Sequence, residues 1–149
     1  MIFCSLQEFS KVMPKSKPYI IELTQHLDPR GNLAVIEQLR DIPFAVERCH
    51  WIYDVPGGGG RDGHAYHRNA EFIVALSGSF DVIVDTPECQ QSFTLNRSFF
   101  GVYIPPMTWR ELTNFSTNAV VLVLSSTKYD EADYIVDRDL YLKLYSPES

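Results

Sequence analysis

Short apolar segments bounded by turn residues recur along most of the chain. They are rich in β-branched and aromatic residues, which is typical of β-strands, and most are too short to be helices. They cover residues 19–23, 33–37, 46–53, 71–76, 80–84, 91–95, 100–104 and 120–125. Only residues 130–145 place apolar side chains at helical spacing. The pattern predicts an all-β fold, an antiparallel jelly roll followed by a short C-terminal helical tail.

The length and composition fit one globular domain, so we expect residues 1–149 to form a single domain. No apolar run approaches the roughly 20 residues that a helix needs to cross a bilayer. The first residues lack the basic, apolar and small-residue order of a signal peptide. We therefore expect a cytoplasmic protein that has no membrane partner.

The charge balance narrows the class of ligand. Thirteen basic residues against nineteen acidic ones give a net charge of -6, which argues against a general nucleic-acid binder. An anionic ligand would need a local cluster of basic side chains. The three cysteines have no spacing typical of structural zinc, and we expect them to be reduced thiols.

Two spaced motifs in the middle of the chain resemble the two motifs of the cupin family. In cupins these motifs supply three histidines and a glutamate to a metal ion inside the barrel. Here they read Gly58-x5-His64-x-Tyr66-x4-Glu71-x6-Gly78 and Pro105-x-Met107-x2-Arg110-x3-Asn114.

Only His64 and Glu71 stand at ligand positions, because Tyr66 replaces the second histidine and Arg110 the third. A permanent guanidinium cation would repel a divalent ion, and one imidazole, one carboxylate and one phenol hold such an ion poorly. We therefore predict a cupin-type barrel that binds no metal. A metal-dependent dioxygenase is therefore only the third alternative function, and metal analysis would test it.

Strand alternation places His64 and Tyr66 on the same face, which is the interior of such a barrel. His67 is expected to point the opposite way. We interpret His26, His50 and His67 as structural or surface residues, and His64 as a functional one, since it follows a Gly-rich loop and matches a spaced motif.

Residues 28–145 resemble one cupin group, the dTDP-4-keto-6-deoxyglucose 3,4-ketoisomerases of deoxyamino-sugar and surface-polysaccharide biosynthesis. Nine short segments match in order and at nearly constant spacing. They are Asp28-x-Arg30-Gly31-x-Leu33, Ile42-Pro43-Phe44, Arg48 before an aromatic strand, Arg61-x-Gly63-His64-Ala65, Leu76-Ser77-Gly78-Ser79, Gly101-x-Tyr103, Trp109, Asn114-Phe115-Ser116 and Tyr129-Asp130-Glu131-x-Asp133-Tyr134-Ile135.

The resemblance implies a homodimer with exchanged N-terminal strands, a dTDP-linked keto-deoxy sugar as the ligand, and isomerisation without a metal or an organic cofactor. This chain departs from the family at two positions expected to face the sugar. Family members usually have histidines where this sequence has Tyr66 and Arg110.

A 3,4-keto shift removes the proton from C3, stabilises an enediolate and returns a proton to C4, so it needs a base and electrophilic help at the oxygens. We predict that His64 transfers the proton, because imidazole titrates near neutrality. Tyr66 is assigned as an auxiliary acid. Arg110 completes the catalytic set, and it could hold Tyr66 ionised by lowering its pKa.

Arginines are the candidates for the diphosphate, since guanidinium groups bind phosphate oxygens through two parallel hydrogen bonds. Surface salt bridges are the alternative for each of them, and core packing is the alternative for the two tyrosines assigned to the pocket. The residues assigned to substrate binding are Arg30, Arg48, Tyr53, Arg61, Glu71 and Tyr103.

Two further functions remain open at this point. A sugar-nucleotide epimerase would also use a base on one ring face and a tyrosine on the other, and its products would distinguish it from an isomerase. A non-catalytic sugar-nucleotide-binding cupin is favoured by Tyr66 and Arg110 in place of histidines.

Overall fold

The computed structural model describes residues 17–145, which form twelve strands and one α-helix, α1 (Arg138–Tyr145). The strands are β1 (Tyr19–Glu22), β2 (Thr24–His26), β3 (Leu33–Val35), β4 (Arg48–Ile52), β5 (Arg61–Tyr66), β6 (Glu71–Ser77), β7 (Phe80–Asp85), β8 (Gln90–Leu95), β9 (Phe100–Ile104), β10 (Trp109–Thr113), β11 (Val120–Ser125) and β12 (Tyr134–Ile135).

The strands build two five-stranded sheets and one small hairpin, and every strand pair is antiparallel. The first sheet has the order β1-β9-β6-β11-β4, the second β12-β5-β10-β7-β8, and β2 pairs with β3. Neighbours in each sheet are mostly distant in sequence, as in a jelly roll. The predicted antiparallel all-β fold with a C-terminal helix is confirmed.

An apolar core lies between the two large sheets. Alternate residues of β7 are fully buried there, as are alternate residues of β6, β9 and β11. The strand β6 is buried on its other face as well, where Phe72 and Val74 pack against Ile42 and Phe44. Because both faces of β6 are covered, its sequence is a continuous apolar run rather than an alternating one.

The sequence pattern did not predict β10, which is central to the second sheet. Arg110 lies opposite Val84 on one side and opposite His64 on the other. Arg110 and Glu111 make this segment polar, so its sequence does not resemble a buried strand. Nevertheless Trp109, Arg110 and Leu112 are buried. Burial of Arg110 depends on a partner that is 39 residues away in sequence, which no local pattern reveals.

The predicted helix over residues 130–145 is wrong for its first half. Residues Glu131–Asp133 form one 3-10 turn, and Tyr134 and Ile135 then pair with Tyr66 and Ala65 of β5. The Asp133 carboxylate accepts hydrogen bonds from the backbone N–H groups of Arg68 and Asn69, at 2.9 and 3.0 Å, and so fixes this segment to the end of β5. Only Arg138–Tyr145 is an α-helix.

Three further features bear on the sequence predictions. Cys49 is a free, exposed thiol, whereas Cys89 is disulfide-bonded, so the prediction of reduced cysteines is wrong for Cys89. Within one chain, β1 pairs with β9, so the exchange of N-terminal strands between two chains stays a prediction. None of the helices within residues 17–145 is long and apolar enough to cross a membrane.

Candidate active site

A cavity of about 680 Å³ opens where β4, β5, β10 and β12 meet. Its lining combines two imidazoles, two phenols and two guanidinium groups with small and aliphatic residues. The lining residues are His50, Ile52, Gly60, Arg61, Gly63, His64, Tyr66, Arg110, Tyr134 and Val136. This is the polar interior site expected from the motifs, and it brings together the three residues predicted as catalytic.

Gly63 explains how β5 approaches β10 at the cavity. A Cβ at this position would lie 2.3 Å from Nε1 of Trp109 and 2.6 Å from Cγ of Glu111. Any side chain there would have to displace the side chains of Trp109 and Glu111. Because the strands do pair, His64 lies opposite Arg110, and Tyr66, two residues along β5, reaches the same cavity.

A buried network of Glu71, Arg110 and Tyr66 lies at the cavity wall. Nε and Nη2 of Arg110 donate to the two carboxylate oxygens of Glu71, each at 2.9 Å. The Tyr66 hydroxyl donates to Oε1 of the same carboxylate at 3.0 Å. All three residues are at most 5% exposed, so solvent screens these interactions little.

The electrostatics fix the charge states of this network. Burial favours a neutral Glu71, but Arg110 outweighs it and holds the pKa of the carboxyl below its ordinary value. Burial lowers the pKa of Arg110, but Glu71 outweighs this effect and raises it. Burial, with the Glu71 charge adding to it, raises the pKa of Tyr66 well above the ordinary value. Tyr66 is therefore a neutral phenol, contrary to the suggestion that Arg110 holds it ionised.

His64 differs from its neighbours because its Nε2 atom is buried and has no hydrogen-bond partner among the described residues. The ring lies between two phenols, 4.9 Å from the Tyr66 ring centroid and 5.3 Å from that of Tyr134. Burial, assisted by the Arg110 charge, lowers the pKa of His64 to about 4. At neutral pH the imidazole is uncharged and can accept a proton.

Two cavity residues escaped the sequence interpretation. Tyr134 lies in the segment that was expected to be helical, and its ring is 4.6 Å from that of Tyr66. His50 was interpreted as structural, although it lies two residues after Arg48 on β4 and therefore faces the same side. Strand parity applied to residues 46–53 would have identified His50, whereas nothing local indicates the strand β12.

The candidate diphosphate-binding arginines differ in position. Arg61 lines the cavity. Arg48 lies beside it, and its Nη1 donates to the Tyr134 hydroxyl at 3.5 Å while its buried Nε has no partner among residues 17–145. The side chain of Arg30 is 90% exposed and is paired with Asp28, so a single chain does not bring it to the cavity.

The two tyrosines assigned to the pocket also lie away from its lining. Tyr53 is 62% exposed beyond the end of β4. The Tyr103 ring packs against Tyr19 and Phe44, with centroid distances of 5.2 and 6.2 Å, on the outer face of the first sheet. Their predicted binding roles have no support in this geometry, which matches core packing for Tyr103.

The residues at the cupin metal position do not suit a divalent ion. Both oxygens of Glu71 are bound by Arg110, so a cation would have to displace the guanidinium group and lie against its positive charge. No cluster of three or more potential metal-ligating side chains occurs in residues 17–145. The chemistry of the donor set thus agrees with the sequence argument.

A scan of known protein families gives one match across nearly the whole chain. The family model described as FdtA: WxcM-like, C-terminal matches residues 16–146. The chain belongs to this WxcM-like family. The ketoisomerase resemblance carried by the sequence motifs is thereby confirmed.

One relative of this WxcM-like chain is a sugar-nucleotide isomerase. The chain is 37% identical over 124 residues to the TDP-4-oxo-6-deoxy-alpha-D-glucose-3,4-oxoisomerase of Aneurinibacillus thermoaerophilus, covering 83% of this chain and 89% of the relative.

Solved structures show the same fold. A mutant of the 3,4-ketoisomerase QdtA from Thermoanaerobacterium thermosaccharolyticum, in complex with TDP-4-keto-6-deoxyglucose, has a TM-score of 0.83 and 32% identity, covering 86% of this chain and 93% of its own. The TDP-quinovose 3,4-ketoisomerase WlaRB from Campylobacter jejuni has a TM-score of 0.81 and 35% identity. The match covers 85% of this chain and 97% of the WlaRB chain. The cupin-type jelly roll predicted from the sequence is confirmed.

Proposed function

We propose that this protein is a 3,4-ketoisomerase that acts on a dTDP-4-keto-6-deoxyhexose and moves its carbonyl group from C4 to C3. Family membership and ketoisomerase relatives at 37% and 32% identity support the reaction class. The cavity supports the chemistry, because it holds the uncharged His64 imidazole beside the neutral Tyr66 phenol and the fixed Arg110 cation.

The observation that carries the proposal is the unpartnered, buried Nε2 of His64 in this cavity. A general base must be deprotonated and must have a lone pair that no other group occupies. The Glu71 carboxylate is occupied by Arg110, and the Tyr66 hydroxyl keeps its proton. His64 is therefore the best placed base, and it serves C3 and then C4.

The step balances without any oxidant or cofactor. His64 takes the proton from C3, and the electron pair of that C–H bond forms the C3=C4 double bond while the C4 carbonyl pair moves onto O4. The O3 proton passes to O4, the O3 electron pair then forms the C3 carbonyl, and the double-bond pair takes a proton from His64 at C4. The Arg110 charge at the cavity wall favours the enediolate intermediate.

Tyr66 is an auxiliary group in this scheme. Its neutral phenol hydrogen-bonds Glu71 at 3.0 Å, so the Glu71–Arg110 pair fixes the ring that lies against His64. The phenol positions the base and, when substrate competes with Glu71, donates a hydrogen bond to an enediolate oxygen while keeping its own proton.

The deciding experiment follows C3 by NMR in deuterated water with dTDP-4-keto-6-deoxyglucose. We expect the wild type to exchange C3 hydrogen and form the 3-keto product. His64→Asn should abolish exchange while nucleotide binding persists, and Tyr66→Phe should slow product formation by about 10²-fold. His67→Asn is the matched control, because His67 is an exposed histidine just beyond the end of β5.

The opposite order of effects would assign the base to Tyr66. Tyr66→His provides an independent check, since it restores the histidine usual in the family. If the wild type, His64→Asn and Tyr66→His all bind dTDP-sugar but show no exchange at C3, the isomerase function is excluded. A product with inverted ring stereochemistry instead of a moved carbonyl would identify an epimerase.

The alternative function is a sugar-nucleotide-binding cupin without turnover. The specific observation in its favour is that Tyr66, at a position usually held by histidine, is a neutral phenol bound to Glu71. Binding of dTDP-sugar without exchange in the experiment above would select this alternative.

We also propose, from the family resemblance, that the protein is a single-domain cytoplasmic enzyme of deoxyamino-sugar and surface-polysaccharide biosynthesis and that it functions as a homodimer with exchanged N-terminal strands. Among residues 17–145 no strand covers the outer edge of β1, which supports association with a second chain.

A further inference from the structure

A second imidazole reaches the cavity from the opposite sheet. His50 projects from β4 of the first sheet, whereas His64 projects from β5 of the second. Along β4 the partly buried residues Arg48, His50 and Ile52 alternate with exposed Cys49 and Trp51. Alternation thus aims His50 at the cavity, which both histidines line.

The His50 ring is available to a ligand. No side chain within residues 17–145 hydrogen-bonds either of its nitrogens, which leaves one donor and one acceptor for the cavity. The charged groups around it are Glu71, Arg48, Arg110 and Arg61. Burial lowers the pKa of His50 below its ordinary value, so the ring is neutral at pH 7.

The reaction leaves one task without a group to perform it. A 3,4-keto shift moves a proton from C3 to C4 and a second proton from O3 to O4. His64 serves the carbons. Arg110 keeps its proton and is bound to Glu71, while the Tyr66 hydroxyl is already engaged by that carboxylate.

We propose that His50 is a catalytic residue that carries the hydroxyl proton from O3 to O4 of the sugar. This inference rests on the ketoisomerase function proposed above. The neutral imidazole donates its N–H proton to O4 as the C3–H bond breaks, and the same nitrogen then accepts the O3 proton as the C3 carbonyl forms. The ring ends in its starting state, so no co-reactant is needed.

The test compares two rates in His50→Gln, namely product formation and deuterium exchange at C3. We expect kcat to fall by about 10²-fold with KM within about twofold of wild type. Exchange should fall less than product formation, because an enediolate that cannot pass its hydroxyl proton on returns to substrate. In His50→Ala, added imidazole should restore product formation. The matched control is His67→Gln, which removes an exposed histidine outside the cavity.

Different results overturn different claims. A wild type without exchange or product would exclude the ketoisomerase function itself and this role with it. An active wild type with unchanged kcat in His50→Gln would exclude only the role of His50. Equal losses of exchange and product in both variants, with raised KM and no imidazole rescue, would show that His50 is merely structural. A dTDP-induced rise in Tm establishes beforehand that each variant is folded.

Discussion

Because His64 is buried, the stability of the folded protein decreases as the pH falls. Burial lowers the pKa of His64 to about 4, whereas an unfolded chain titrates near pH 6.5. Between these values the unfolded state binds the proton and the folded state does not. The contribution of His64 to stability is therefore complete above about pH 6.5 and is lost as the pH falls towards 4.

We predict that the wild type loses about 2 kcal/mol more stability than His64→Gln when the pH falls from 7 to 5. Urea unfolding at the two pH values measures the difference, and carboxylates common to both proteins cancel. Identical pH dependence in the two proteins would show that the ring is not desolvated. In the catalytic assay, the same low pKa predicts that kcat/KM stays level from pH 7 down to about pH 5 and falls only as the pH approaches 4.

Arginines at the cavity should decide nucleotide affinity. A ligand that binds only the folded state raises Tm, so loss of a diphosphate contact reduces that rise. We expect dTDP to stabilise the wild type and to stabilise Arg61→Ala and Arg48→Ala less. Arg40→Ala is the matched control, because Arg40 is exposed and pairs with Glu37 and Asp41 outside the cavity.

An unchanged Tm at millimolar dTDP in the wild type would contradict the sugar-nucleotide function. The same measurement on Arg30→Ala decides whether an arginine that lies outside the cavity of one chain takes part in binding. The paired state of Arg30 with Asp28 predicts a smaller loss than that in Arg61→Ala.

The sequence predicted residues of the candidate site only where spacing or strand parity marked them. His64, Tyr66, Glu71 and Arg110 occupy positions of the cupin motifs. His64, Tyr66 and Arg110 line the cavity, and Glu71 binds the last two. The sequence did not show that Glu71 binds both Arg110 and Tyr66, because charge states and hydrogen bonds depend on burial by other strands.

At the scale of elements, the strands with strong apolar patterns were predictable and those determined by tertiary partners were not. The strand β6 is an apolar run, and its position in the sheet follows from burial on both faces. The strands β10 and β12 have no apolar pattern of their own. They become strands through pairing, β10 with β5 and β7, and β12 with β5. The helix was misplaced in part because Asp133 binds backbone groups of the turn after β5.

The role of Asp133 gives a prediction for the element β12. Replacing Asp133 with Ala removes the acceptor of two backbone N–H groups, of which that of Asn69 is buried. Unsatisfied buried donors cost about 1–3 kcal/mol each, so we expect a loss of roughly 3 kcal/mol in urea unfolding. Asp139→Ala, at an exposed position of α1, should change stability by less than about 0.5 kcal/mol. Equal effects would mean that Asp133 does not hold β12 in place.

At the scale of the whole molecule, the first sheet ends in an open edge. Within residues 17–145, β1 pairs only with β9, and no strand covers its other side. Tyr19 and Ile20 of this edge strand are 45% and 40% exposed, and Leu27 and Leu33 nearby are 75% and 55% exposed. An uncovered apolar edge invites pairing with another chain, and a symmetric dimer removes it.

We therefore predict a homodimer that depends on β1. Light scattering at micromolar concentration should give twice the chain mass for the wild type, and Ile20→Lys should shift the population towards monomer, because the new charge would be desolvated at the interface. Leu140→Lys is the matched control, since Leu140 is a 47% exposed leucine on α1, which packs by β12 at the edge of the other sheet. A wild type that is monomeric would contradict the dimer, and a dimer equally weakened by both variants would place the interface away from β1.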